Sequence, residues 1–187
     1  MQDRKYNKTL LPTLALSVAG ALMAGCEISL PGAPLETAAS VDVARYMGRW
    51  YEIAKYPVAF EAGCYGVTAD YSLREDGTVR VLNTCRTADG TVRNQIEGFA
   101  EVSDKTSNSK LTVYFFYPFG APYWILEVGE NYEYAVVGDP SRSFLWILSR
   151  TPTLDNETYN GIVSRLAEKG YDPNRLEPMA QFPAAAP

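Results

Sequence analysis

Between positions 49 and 149 the chain alternates apolar and polar residues in short runs rich in Tyr, Val, Ile and Phe, each closed by a turn signal. A period of two places successive side chains on opposite faces of an extended strand. Eight such runs can be drawn, at 49–56, 65–74, 78–86, 91–103, 110–117, 122–129, 132–138 and 143–149. Asp76-Gly77, Asp89-Gly90, Ser107-Asn108, the 118–120 and 129–131 segments and Asp139-Pro140 separate them, and residues of these types suit tight turns. Connections this short join antiparallel neighbours. The pattern predicts an all-β domain, an eight-stranded antiparallel up-and-down β-barrel, because closing the meander removes the edges that an open sheet exposes. Two sandwiched sheets satisfy the same pattern.

The period then changes. Over 155–169, Ile162, Val163 and Leu166 fall on one face at helical spacing, Asp155 stands at the N-cap position and Gly170 follows the end. This predicts one C-terminal α-helix packed against the outside of the barrel.

The N-terminus has a different character. Arg4, Lys5 and Lys8 precede an uncharged stretch over 9–25 that ends in small residues, which reads as an export signal. Leu22-Met23-Ala24-Gly25-Cys26 resembles a bacterial lipobox. That resemblance implies cleavage before Cys26, a lipid on Cys26, and sorting to the outer membrane from Glu27 in the next position. An incidental thiol after an ordinary cleavage site is the alternative. The expected division is a signal peptide at 1–25, a Pro/Gly/Ala/Ser-rich tether at 26–40, the folded domain at 41–180 and a tail at 181–187.

Composition narrows the chemistry. Lys and Arg total 17 against 22 Asp and Glu, a net charge of −5. Loss of 1–25, where three cations outnumber the single Asp3, takes this to −7. Nucleic acid is therefore not an expected partner, since phosphate backbones select clustered positive charge. Histidine is absent, which removes Ser-His and Cys-His nucleophiles and any His-ligated zinc or haem. Carboxylate acid–base chemistry survives that filter.

Tyr46-Met47-Gly48-Arg49-Trp50-Tyr51-Glu52-Ile53-Ala54 resembles the first signature of the lipocalin family, whose core is Gly-x-Trp. Residues 135–140 (AVVGDP) and 145–152 (LWILSRTP) resemble the second and third signatures, in order. Gly98-Phe99-Ala100 and Pro122-Tyr123-Trp124-Ile125-Leu126 are similar to the apolipoprotein D and bacterial lipocalin branch, and the resemblance runs over 42–178. It implies a barrel that carries a small apolar ligand, needs no cofactor and is sealed at one end by Gly48, Trp50 and Arg150. The strand count agrees independently, because the first of eight alternating strands starts where the last one ends. The resemblance also suggests Tyr71 and Tyr114 as cavity residues. Alternation from an inward Arg150 adds Trp146 and Phe144. Each of these can instead belong to outer packing. Aromatic walls with phenolic hydroxyls suit a long apolar tail with a small polar end, hence a fatty acid or lysophospholipid. Phe60, Tyr117 and Phe119 fall on loops at the open end, where they can guard the pocket, touch lipid headgroups or plug the barrel.

Cys64 and Cys85 are expected to pair in an exported protein. A two-residue Asp76-Gly77 turn, however, sets Cys85 opposite Thr68 and leaves Cys64 about 13 Å along the strand. A bridge needs Cα atoms within roughly 7 Å, so the preceding loop must fold back or a bulge must shift the register. The rival is a free thiol at Cys64, on which a lipid-modifying enzyme, isomerase- or peroxidase-like, would rest. A structural envelope lipoprotein with a filled barrel is a third reading.

Overall fold

The computed structural model describes residues 34–182. Eight antiparallel strands follow in order: β1 (Gly48–Lys55), β2 (Gly66–Leu73), β3 (Val79–Arg86), β4 (Val92–Val102), β5 (Lys110–Phe116), β6 (Phe119–Val128), β7 (Tyr134–Gly138) and β8 (Leu145–Ser149). β1 pairs with β8 on one side and with β2 on the other, so the sheet closes on itself. The sandwich alternative is thereby removed. A short helix α1 (Val43–Tyr46) precedes the barrel, and α2 (Asn156–Glu168) and a two-residue strand β9 (Glu177–Pro178) follow it.

Alternate residues of the same strands serve two cores. Inside the barrel lie Trp50, Val79, Val81, Val113, Ile125, Val137 and Leu148. Outside, Ala54, Val136, Leu145 and Ile147 pack against Ile162 and Leu166 of α2. Strands covered on both faces lose their polar alternation, which explains the nearly continuous apolar β7 and β8. Asp155 caps α2 by accepting from the Thr158 amide at 2.9 Å, and Gly170 follows its end with φ at +82°. Arg165 of α2 ion-pairs with Glu127 of β6, which fixes the helix to the wall.

Three features depart from the sequence pattern. The β2–β3 turn holds three residues, because the Arg74 amide donates to the Thr78 carbonyl at 2.8 Å and Gly77 turns with φ at +82°. The register moves by one residue, and Cys85 stands opposite Val67 rather than Thr68. The packed body also extends into the expected tether and tail. Leu35 is buried in the outer core, and the Ala38 amide donates to the Ile125 carbonyl at 2.9 Å.

The third departure is at the barrel seam. β1 and β2 pair only from Gly48↔Tyr71 to Tyr51↔Thr68 and then part. The C-terminal segment fills the gap: β9 pairs with Ala54 and Lys55, and the Gln181 amide donates to the carbonyls of Glu52 (2.6 Å) and Val67 (3.0 Å). One side chain thus replaces a missing ladder rung. The Phe182 ring lies so close to Gly66 that a Cβ there would sit 2.9 Å from it.

The signal peptide and Cys26 lie outside the described residues.

Candidate functional site

The closed end is built around Trp50, which is fully buried and donates its indole N–H to the Tyr46 carbonyl at 2.8 Å. The Arg150 guanidinium covers the ring, with its carbon 3.7 Å from the centroid. It also donates to the carbonyls of Arg45 (2.7 Å), Arg49 (3.0 Å) and Tyr132 (3.3 Å). Gly48 is required twice over: its φ is +95°, and a Cβ would come within 3.3 Å of that guanidinium.

Above this plug lies a tyrosine floor. The Tyr123 hydroxyl bonds to those of Tyr46 (2.9 Å) and Tyr71 (3.1 Å), and the rings pack into the inner core. Burial raises the pKa of all three phenols, that of Tyr71 to about 12, so they remain hydroxyls at physiological pH. The void among them measures about 20 Å³, room for one water. The lower half of the barrel is therefore solid, and Tyr71 faces inward as part of its floor.

The upper half is a cup. Ile96 shares the inner face of β4 with Ala100, yet remains 37% exposed. Asn94 on the same face and Ala121 of β6, opposite Val113, are exposed as well. Inward residues of a closed barrel reach water only through an open hollow. Trp146 and Phe144 stand on its wall: Trp146 pairs with Val137 of the inner core, and the two rings stack at 5.9 Å, with Phe144 39% exposed.

Tyr114 is not a cavity residue. Ala100↔Val113 pairing turns Val113 inward and Tyr114 outward, where it stacks on Phe99 at 4.9 Å and meets Tyr117 at 5.9 Å. Phe60, Tyr117 and Phe119 are strongly exposed, so they do not plug the barrel.

A polar cluster at the rim of the cup was not foreseen. A bulge between Glu52 and Ala54 resets the alternation of β1, so that Glu52 (opposite Leu148) and Lys55 (opposite Trp146) both face inward, while Ala54 faces out with Ile147. Glu61 comes from a 3-10 turn, Ala59–Glu61, in the loop after β1. The Lys55 Nζ lies 3.8 Å from both Glu61 and Glu177. Burial, then the charge of Glu61, pushes the Glu52 carboxyl well above the usual range; burial raises Glu61 too, opposed by Lys55 and the Trp146 indole. The Glu52 Oε1 and Glu61 Oε2 atoms are buried without a hydrogen bond. Without a bulge, 52 and 54 would share a face, and nothing in the wording Glu-Ile-Ala-Lys announces one.

Cys64 and Cys85 form a disulfide with Cα atoms 5.3 Å apart. The shifted β2–β3 register and a turn in which the Cys64 amide donates to the Glu61 carbonyl bring them together. The bridge ties the Glu61 loop to β3. Beside it, a cavity of about 580 Å³ opens between that loop and the C-terminal strand, lined by Lys55, Glu61, Cys64, Tyr65, Glu177 and Met179.

Residues 41–181 match the Lipocalin-like domain family. The chain is 36% identical over 167 residues to the outer membrane lipoprotein Blc of Escherichia coli (strain K12), covering 89% of this chain and 94% of that protein. It is 40% identical over 157 residues to apolipoprotein D of Mus musculus, covering 78% and 79%. Insecticyanin from the tobacco hornworm Manduca sexta superposes with a TM-score of 0.64 at 21% identity, over 81% of this chain and 86% of that one, which is a likeness of fold.

Proposed function

The chain belongs to the lipocalin-like domain family, and on that premise we propose that it carries one small single-chain apolar ligand in the cup above Trp50 while a lipid on Cys26 holds it at the outer membrane. Fatty acids and lysophospholipids are the ligand classes of suitable shape. The observation that carries the reading is the exposed inner wall of β4 and β6 above a solid floor. Burying a tail there is favourable by about 0.8 kcal/mol per CH₂. Anchoring at the outer membrane is supported by the lipobox-like 22–26 segment and by the printed description of the Blc relatives.

Titrating the protein with oleic acid or a lysophosphatidylcholine is expected to give saturable, one-to-one quenching of tryptophan fluorescence. Trp146→Phe is expected to remove most of the signal, because Trp50 is sealed below. No saturable binding of either compound overturns the reading. Cys26→Ala is expected to release the protein from the membrane fraction into the soluble one.

The thiol-enzyme reading loses its nucleophile, since Cys64 is consumed by the bridge to Cys85. No observation in the fold favours it over carriage.

A further inference from the structure

We propose that Glu52, Lys55 and Glu61 form a head-group site for an amphiphile whose polar end donates hydrogen bonds and carries no negative charge, a primary ammonium being the best match. The proposal rests on carriage of a tail in the cup, and selects among the ligands that the cup accepts.

Geometry comes first. The bulge in β1 aims two side chains inward where regular alternation would aim one, and the loop after β1 brings Glu61 to meet them. Lys55 and Glu61 line the 580 Å³ cavity, so a head group can reach them, and Glu52, only 3% exposed, lies deeper.

Hydrogen-bonding capacity comes second. The buried side-chain polar atoms that lack a partner among the described residues are Glu52 Oε1, Glu61 Oε2 and Asn83 Oδ1. All are acceptors, and Asn83 shares the inner face of β3 with Val81 and Cys85. Buried acceptors are normally satisfied, so a set of orphaned oxygens at the rim of a binding cup calls for donors from a ligand.

Charge comes third. The groups facing Glu52 are Lys55 on its own strand, Glu61 from the loop and Tyr71 from β2; Glu177 on β9 faces Lys55 from its other side and is largely in solvent. With one proton on Glu52, the Glu52–Lys55–Glu61 group is neutral. A carboxylate head would add a negative charge beside two carboxyls and supply no donor. An ammonium head supplies donors and takes the place of the Glu52 proton, which leaves to solvent. Its binding therefore releases up to one proton and strengthens as pH rises toward the pKa of Glu52 in the folded protein.

Three probes with the same twelve-carbon chain length separate these cases: dodecylamine, 1-monolauroylglycerol and lauric acid, each titrated below its micelle concentration at neutral pH. The amine is expected to bind about tenfold tighter than the acid, with the glycerol ester between them. In the Glu52→Gln/Glu61→Gln double variant the three should agree within about twofold. The double variant also controls for the overall negative charge, which it barely changes. Glu52→Gln alone keeps the Lys55–Glu61 pair and is expected to abolish proton release, read as calorimetric heats that no longer depend on the buffer. Equal or tighter binding of the acid to the wild-type protein, or an amine preference that survives in the double variant, overturns the head-group site and leaves the carrier reading intact. If none of the probes binds saturably, the carrier reading falls as well.

Discussion

Arg150 lies flat over Trp50, with the guanidinium carbon 3.7 Å from the ring centroid, and so the end of β8 locks the start of β1. The contact joins a cation–π interaction to three charge-assisted hydrogen bonds on carbonyls of three residues.

Arg150→Ala is expected to cost about 2–4 kcal/mol, since it bares Trp50 and strands those carbonyls. Arg150→Lys should recover only part, because a point ammonium cannot fan out to three acceptors above a ring. Urea denaturation midpoints measure both. A cost within about 0.5 kcal/mol, the range of an ordinary surface change, would mean that the closed end is held by its apolar packing alone.

Glu52 makes stability depend on pH with a definite sign. Its pKa in the folded protein is raised, chiefly by burial and next by Glu61, so the folded state holds a proton that the unfolded chain gives up. The protein should therefore lose stability as pH rises from the ordinary carboxylate range through the raised value. Glu52→Gln keeps the shape and removes the ionisation. It is expected to gain about 1–3 kcal/mol at neutral pH, the cost associated with a buried unsatisfied polar group, and to flatten the pH series of melting temperatures. An unchanged slope would show that other groups set it.

The Cys64–Cys85 bridge closes a loop with a sequence separation of 21. Removing it as the Cys64→Ser/Cys85→Ser pair is expected to cost about 3 kcal/mol. Hydrogen exchange should then quicken first in the 57–65 loop, because the bridge is its covalent tie to β3, while the amides around Trp50 stay protected. Uniform loss of protection would contradict that local role.

Much of the site was legible in the chain. Gly48, Trp50 and Arg150 could be placed together because an even number of short-linked strands returns the chain to the end where it began. Trp146 and Phe144 followed from counting back by twos along β8, which contains no bulge. The same reasoning fails on β1, where the bulge after Glu52 breaks the count and hides the Glu52–Lys55 pair. Tyr114 was misplaced for a related reason: it was assigned from resemblance, whereas its face is set by the pairing of Val113 with Ala100 across the sheet. Cys85 shows how one residue in a turn matters, since three residues at 75–77 rather than two moved its partner from Thr68 to Val67.

The amino-acid order alone determined the strands, their sequence, the helix cap at Asp155 and the closure of the barrel, because these depend on contacts between near neighbours and on strand parity. Only the tertiary structure decided how deep the cup is, which tyrosines fill its floor, and that Gln181 bridges a parted seam between β1 and β2. Those outcomes depend on cross-strand register, bulges and side-chain volumes summed around a closed wall. Such quantities belong to the whole circuit of strands and are carried by no single stretch of sequence.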